Sequence, residues 1–333
     1  MSVYDNLRKF DTMLHVSILI PETAVMASVA DPRYMFTAIN GFMQQAGKPP
    51  VFKVQLVGSK REVQVNDGLF TIHTDALLAD IVDTDLIILP ALSGDIQTAL
   101  DLNKELLPWI IDKYEKGAEL ASLCIGAFLL AATGLLKGKK CSTHWLYATE
   151  FRNMYPDVVL VDDKIITEEN RLYSSGGANS YWNLLLYLVE KHTSREVAIM
   201  ASKYFVIETM RNNQSPFVIF RGQKSHKDET VRLAQEYIEQ HYARRITVEQ
   251  LCGELATGKR TLERRFKEAT GNTITEYMQR VKIEAAKKSF EVSRDNITEV
   301  MYAVGYTDPK AFRTTFRKIT GVSPVVYKNK YSR

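Results

Sequence analysis

Two sets of residues in this 333-residue chain have types and spacing suited to chemistry. The first centres on Cys124, in the run Ala121-Ser-Leu-Cys-Ile-Gly-Ala127. A strand pattern ends there and an apolar, small-residue helix pattern begins. A thiol at such a junction has the geometry of a nucleophile elbow. The helix N-terminus is expected to lower its pKa and favour thiolate. His144, in Ser142-Thr-His-Trp145, is the candidate base. The alternative is an ordinary buried thiol, with His144 capping a turn or packing near Trp145.

The second set is a unit that occurs twice. Lys259-Arg-Thr-Leu-Glu-Arg-Arg-Phe-Lys-Glu-Ala-Thr-Gly271 returns in register as Pro309-Lys-Ala-Phe-Arg-Thr-Thr-Phe-Arg-Lys-Ile-Thr-Gly321, and Tyr277 then aligns with Tyr327. Leu262, Phe266 and Ala269 share one helical face, as do Phe312, Phe316 and Ile319. The opposite faces are polar and mostly basic. A helix with an apolar back and an Arg-rich front suits a DNA major groove. Shorter helices at 248–256 and 298–304, with turns at 257–258 and 305–308, make each copy a helix-turn-helix. A long helix at 274–291 spaces the two readers roughly one DNA turn, about 34 Å, apart. The competing reading is an α-solenoid, which needs about three or more repeats and has no reason for a basic face.

Charge agrees with this division. Residues 226–333 hold 21 Lys+Arg and 14 Asp+Glu, whereas the whole chain has a net charge of only +4. A basic C-terminal third on a slightly acidic body points to a polyanionic partner for that third. The three cysteines have neither disulfide nor metal-ligand spacing. No apolar run approaches the roughly 20 residues of a membrane span. The polar stretch 1–11 lacks the apolar centre of a signal peptide. A reducing cytoplasmic compartment, with no cofactor and no metal, is expected.

The elements that must position these residues alternate between strand and helix. Strands are expected at 14–20, 51–57, 85–89 and 118–123, with a hairpin at 62–74 around Asn66-Asp67-Gly68. Shorter strands are expected at 139–142, 164–168 and 172–174. Helices are expected at 33–45, 103–116, 125–132, 144–154, 177–192 and 195–207. This order predicts an α/β open parallel sheet covered by helices. The pattern breaks at 209–227, read as a linker in which 217–220 docks on a neighbour. A helix at 228–240 follows, with Val231, Leu233, Ala234, Tyr237 and Ile238 on its buried side. The expected domains are therefore 12–208, a linker at 209–227, and an all-α domain at 228–333.

On these residues, the segment 246–327 resembles the AraC/XylS DNA-binding domain. The resemblance rests on Arg-Thr-Leu-Glu-Arg-Arg-Phe, Thr270-Gly271, Gly305-Tyr306, Ala-Phe-Arg-Thr-Thr-Phe, Gly321-Val-Ser-Pro324 and Tyr327. It implies two helix-turn-helix motifs in successive major grooves of double-stranded DNA. By position, Arg260, Glu263 and Arg264, then Lys310, Arg313 and Thr314, would reach bases. Lys267 and Arg317, with Lys318, would contact phosphates, and Arg265 is open between structure and surface.

Residues 15–203 resemble the flavodoxin-like, class I glutamine amidotransferase-like fold, in the branch fused to AraC domains (the GlxA-type regulators). The resemblance rests on Ser122-Leu-Cys-Ile-Gly-Ala-Phe-Leu-Leu-Ala131, Gly134-Leu-Leu, Ser142-Thr-His-Trp145 and Ser174-Ser-Gly-Gly-Ala178. It implies a homodimer and a pocket at the C-terminal ends of the strands, lined by Cys124, Ile125, His144, Gly176, Gly177 and Asn179. Such a pocket would suit an anionic or amide-bearing small-molecule effector. In catalytic relatives Cys124 would be nucleophile and His144 its base. Two departures argue against turnover. Ala27 and Ser28 stand where an acid is usual, with Glu22 several residues too early. The loop Pro90-Ala-Leu-Ser-Gly94 lacks the Gly-rich turn that presents an oxyanion donor, a loss of about 100- to 1000-fold in rate. The reading is a transcriptional regulator with a binding pocket, Cys124 and His144 being vestiges of catalysis. The alternative is an active cysteine hydrolase or amidotransferase-like enzyme that also binds DNA, and a weaker third is a redox sensor.

Overall fold

The computed structural model describes residues 13–208, 214–224 and 226–332. The N-terminal stretch 1–11 and the first part of the expected linker, 209–213, lie outside the described residues. The chain divides into two compact units at Gln214–Ser215, within the range expected for a linker.

The first unit runs β1 (Leu14–Leu19), α1 (Met26–Gln45), β2 (Phe52–Gly58), β3 (Glu62–Val65), β4 (Phe70–His73), β5 (Ala76–Leu77), β6 (Leu86–Leu89), α2 (Ile96–Leu102), α3 (Leu107–Glu115), β7 (Glu119–Ser122) and α4 (Ala127–Ala132). It continues through β8 (Lys140–Cys141), α5 (Ala148–Met154), β9 (Val159–Leu160), β10 (Ile166–Glu169), β11 (Leu172–Ser175), α6 (Tyr181–His192) and α7 (Arg195–Tyr204). Seven strands form one sheet in the order β10-β11-β7-β6-β1-β2-β5. Every pairing in it is parallel except that of the edge strand β10 with β11.

Burial on both faces explains why the central strands are largely apolar, β6 (Leu-Ile-Ile-Leu) wholly so. Val16, Ile18, Leu86 and Ile88 face one core with Phe36, Ile39, Leu184 and Leu188 of α1 and α6. Leu19, Ile87 and Leu89 face a second core with Ile110, Phe128 and Phe151 of α3, α4 and α5. Helices on both faces leave such strands no polar side. The strand order reverses direction at β1, which places a crevice beyond the C-terminal ends of the central strands.

Two helix expectations need correction. The helix expected at 33–45 begins at Met26 and runs through Pro32. Burial of Val29, Pro32, Met35 and Phe36 outweighs the one hydrogen bond that proline forfeits. The helix expected at 103–116 is α-helical only over Leu107–Glu115, and a separate helix, α2, ends just before it at Leu102. Asn103 is buried, its side chain donating to Ala99 O at 2.8 Å and accepting from Glu22 N at 2.9 Å. Pro108 then opens α3 near its first turn, where a missing N–H costs nothing.

The second unit consists of α8 (Glu229–His241), α9 (Val248–Glu254), α10 (Lys259–Thr270), α11 (Ile274–Val292), α12 (Ile297–Ala303), α13 (Pro309–Thr320) and α14 (Pro324–Tyr331). It has two small cores, and α11 supplies both. Ile274 and Tyr277 join Val231, Ile238, Leu251, Leu262 and Phe266. Ile283, Ala286 and Phe290 join Val300, Met301, Phe312, Phe316 and Tyr327. On α8, Leu233 is 43% exposed rather than buried, and Gln235 takes an inner position instead. Residues 218–224 pack on this unit. Phe220 N donates to Glu284 Oε2 at 3.1 Å, and Lys287 Nζ donates to Val218 O.

Candidate DNA-reading surface and ligand pocket

The two copies are the same object in three dimensions. Residues 261–270 and 311–320 have the same burial pattern position by position. Phe266 meets Tyr277 edge-on with centroids 5.2 Å apart, and Phe316 meets Tyr327 in the same way at 5.5 Å. Each tyrosine hydroxyl donates to a glutamate, Tyr277 to Glu239 at 2.7 Å and Tyr327 to Glu291 at 2.6 Å. Thr270 and Thr320 donate back to Phe266 O and Phe316 O. Gly271 and Gly321 then stop the helices at φ +70° and +75°, a conformation that costs glycine little. Ala269 and Ile319 are only partly buried.

All eight candidate contacts are exposed, and they form four equivalent pairs. These are Arg260 with Lys310, Glu263 with Arg313, Arg264 with Thr314, and Lys267 with Arg317. Their surroundings differ. Arg264 Nη1 donates to both Glu268 oxygens at 2.9 Å, and Lys259 pairs with Glu249 at 2.7 Å. Lys267 Nζ donates to Gly271 O at 2.6 Å. In α13, Arg313 Nε donates only to Pro309 O, and no ion pair within the described residues engages Lys310, Arg313 or Arg317. Arg265 is structural. It donates twice to Asp228, at 2.7 and 2.6 Å, while Asp228 caps α8 through Val231 N. The Arg265 guanidinium holds that carboxyl below its ordinary range.

Cys124 follows β7 in a left-handed conformation, φ +55°, the strained geometry of an elbow. Gly126 is obligatory there, since a Cβ would lie 2.5 Å from both Leu89 O and Pro90 O. The thiolate expectation fails. Cys124 is 6% exposed, and burial pushes its thiol up to about 12. The desolvation cost of a thiolate exceeds anything one short turn of helix offers.

The supporting groups are committed elsewhere. Cys124 N donates to Ser175 Oγ at 3.1 Å, and Cys124 O accepts from Thr143 Oγ1 at 3.2 Å. Ala91 N, in the loop after β6, donates to Ser28 Oγ at 2.9 Å, while Ser28 Oγ donates to Val25 O. Serine at the position of the usual acid thus ties the start of α1 to this loop. Glu22 is paired with Lys60. His144 Nδ1 accepts from Leu146 N at 3.1 Å, and desolvation lowers its pKa. The neutral ring therefore carries its proton on Nε2, a donor, so neither nitrogen is set up to take a proton from Cys124.

Three further residues, Tyr181, Asp31 and Gln214, stand around Cys124 and His144. Tyr181 OH donates to Asp31 Oδ2 at 2.6 Å, and burial followed by that bond raises its pKa, with a smaller contribution from Cys124. Asp31 lies one helical turn beyond Ala27 and Ser28, the only hint available beforehand. Gln214 lies over Gly176 and accepts from Gly177 N at 2.8 Å. Gly177 also borders the His144 ring, whose Cδ2 is 3.9 Å from where a Gly177 Cβ would stand. Ile125 is buried beside Cys124, whereas Asn179 is solvent-exposed on the turn before α6. Among the described residues no group of three His, Cys, Asp or Glu side chains is arranged to hold a metal. No described helix is long and apolar enough to cross a membrane.

Comparison with known proteins agrees with both halves. A helix-turn-helix domain model matches residues 251–330, and the DJ-1/PfpI family model matches residues 36–191. The HTH-type transcriptional regulator GbdR of Pseudomonas aeruginosa is 25% identical over 269 residues, covering 79% of this chain and 71% of that protein. CdhR of the same species, also an HTH-type transcriptional regulator, is 23% identical over 79% of this chain and 77% of its own. The regulator GlxA of Rhizobium meliloti is 20% identical over 62% of this chain and 64% of its own. The crystal structure of a ThiJ/PfpI family protein from Pseudomonas syringae superposes with a TM-score of 0.51 at 13% identity, covering 84% of this chain and 95% of that one, a likeness of fold alone. The chain thus carries an AraC-type helix-turn-helix region after a DJ-1/PfpI domain, and its homologues are HTH-type transcriptional regulators.

Proposed function

We propose that the first unit is a sensor that binds a small anionic or amide-bearing metabolite beside Cys124, Ile125, His144 and Gly177 and does not turn it over. One observation carries this reading: the Cys124 thiol is buried and pushed up, and polar groups beside it are already engaged. The thiol is held protonated, and the Cys124 and Ala91 N–H groups donate to serine oxygens. The His144 nitrogen that would accept a proton is occupied. Arg260, Glu263, Arg264, Lys310, Arg313 and Thr314 read bases, with Lys267 and Arg317 on phosphates. The HTH-type transcriptional regulators GbdR and CdhR support a regulator of this kind, which we read as a cytoplasmic homodimer. The domain limits are 12–208 for the sensor and 228–333 for the reader, joined by 209–227.

The test is the pH profile of iodoacetamide labelling at Cys124 in a Cys141→Ser, Cys252→Ser background. A thiol raised above its ordinary value stays protonated, so labelling is expected to remain slow through pH 9 and rise only beyond it. An inflection below about pH 7, together with ester or amide hydrolysis abolished by Cys124→Ala, would establish the enzyme reading instead.

A further inference from the structure

Gln214 is the last residue of the first unit, and Ser215 opens the second. A glutamine next to a domain division is ordinarily solvated, yet this one is 1% exposed. Its amide is matched on every side. Oε1 accepts from Gly177 N at 2.8 Å. Nε2 donates to Thr143 O at 2.9 Å and Asp162 O at 2.8 Å. The backbone N–H donates to Asp163 O at 2.8 Å. Two carbonyl acceptors and one N–H donor are the complement of a primary carboxamide. The floor of this niche is Gly176, where a Cβ would lie 2.7 to 2.8 Å from the amide atoms.

The niche shares residues with the surroundings of Cys124 and His144. Thr143 supplies a carbonyl to Gln214 and, through its hydroxyl, a hydrogen bond to Cys124 O. Gly177 supplies its N–H to Gln214 and borders His144. Past Gln214, the carbonyl of Val218 and the N–H of Phe220 are hydrogen-bonded inside the second unit.

We propose that this niche is a carboxamide-binding site which the chain fills with its own Gln214, and that this side chain is the latch linking ligand occupancy to the DNA-reading unit. The proposal rests on the sensor reading above. A ligand that moves Thr143 or Gly177 changes partners of Gln214 directly. Release of the amide then frees the start of the second unit's chain from Gly177 and Thr143. Coupling of this kind is reciprocal, so DNA and ligand would each alter the affinity for the other.

Two variants of the full chain reach the latch by different routes. Gln214→Ala deletes the amide, and Gly176→Ala keeps the amide but blocks its seat. Each is expected to speed amide hydrogen exchange at Gly177 and across 214–222 by about tenfold, the loss of roughly one net hydrogen bond. Each is also expected to shift affinity for a duplex selected by the wild-type protein about fivefold or more, in the same direction. Free acetamide, the fragment removed by Gln214→Ala, should restore Gly177 protection in that variant and not in Gly176→Ala. Failure of acetamide to protect Gly177 overturns the carboxamide site. Faster exchange with unchanged DNA affinity in both variants overturns the latch. Arg264→Ala run in parallel separates the readings. If it loses affinity while the latch variants do not, only the latch falls; if it too is unaffected, the assignment of the reading surface falls.

Discussion

Residues 259–270 and 309–320 present the same face from the same scaffold, yet they differ in what their cations touch. In the first copy Lys259, Arg264 and Arg265 each meet a carboxylate, from Glu249, Glu268 and Asp228. In the second, Lys310, Arg313 and Arg317 have no ion pair among the described residues. The equivalent positions also change type, from Glu263 and Arg264 to Arg313 and Thr314. A scaffold kept constant by buried Phe, Tyr, Thr and Gly leaves the outer face free to diverge. The first helix offers paired, oriented donors beside an acceptor, suited to base edges. In the second, Lys310 and Arg313 have no carboxylate partner among the described residues to leave before meeting bases, and Arg317 suits phosphates.

The largest test of this comparison lies in the cores. Phe266→Ala and Phe316→Ala should each cost about 3–5 kcal/mol. Hydrogen exchange should show the loss concentrated in α8–α10 for the first and in α12–α14 for the second. Equal loss of protection in both copies from either variant would mean that α11 welds them into one cooperative unit.

Charge removal comes next. Arg264→Ala should cost about 1–3 kcal/mol on a selected duplex and little on random DNA. Arg317→Ala should weaken both equally and reduce the slope of log affinity against log salt by about 0.9. Identical behaviour of the two variants in a salt titration would erase the division of labour.

The smallest effect is acid sensitivity. Asp228 has its carboxyl held below the ordinary 3.8 by the Arg265 hydrogen bonds. A depressed carboxyl contributes stability that is present above its unfolded value and lost as pH falls through the folded one. At the place of Arg265 the second copy has Thr315. Below about pH 4, α8 and α10 should therefore lose protection before α13, by under about 1 kcal/mol. Simultaneous loss in both, followed by hydrogen exchange, would show that the pair contributes nothing specific.

Legibility in the sequence followed the range of the interaction concerned. The eight exposed contact candidates follow from a helical period and a register, both local properties. So does the elbow at Cys124, where Gly126 marks the close approach. The ionisation of Cys124 is not legible in the sequence, because burial sets it and burial is a property of the assembled sheet. Ser28 stands where an acid is usual, but its role in binding Ala91 N, 63 residues away, has no local signature. Leu233 shows the same limit on a smaller scale, since its place on α8 was apolar by period and its neighbours decided otherwise.

By itself, then, the sequence determined that two equal helix-turn-helix units follow a parallel α/β sheet, because period, turn residues and capping act over a few positions. Only the tertiary structure decided which polar groups are already satisfied. Gln214 meets Gly177 across 37 residues and Thr143 across 71, and Cys124 is kept a thiol by the surroundings that bury it. Such matches depend on hydrogen-bond geometry and desolvation, which exist only once distant segments have been brought together.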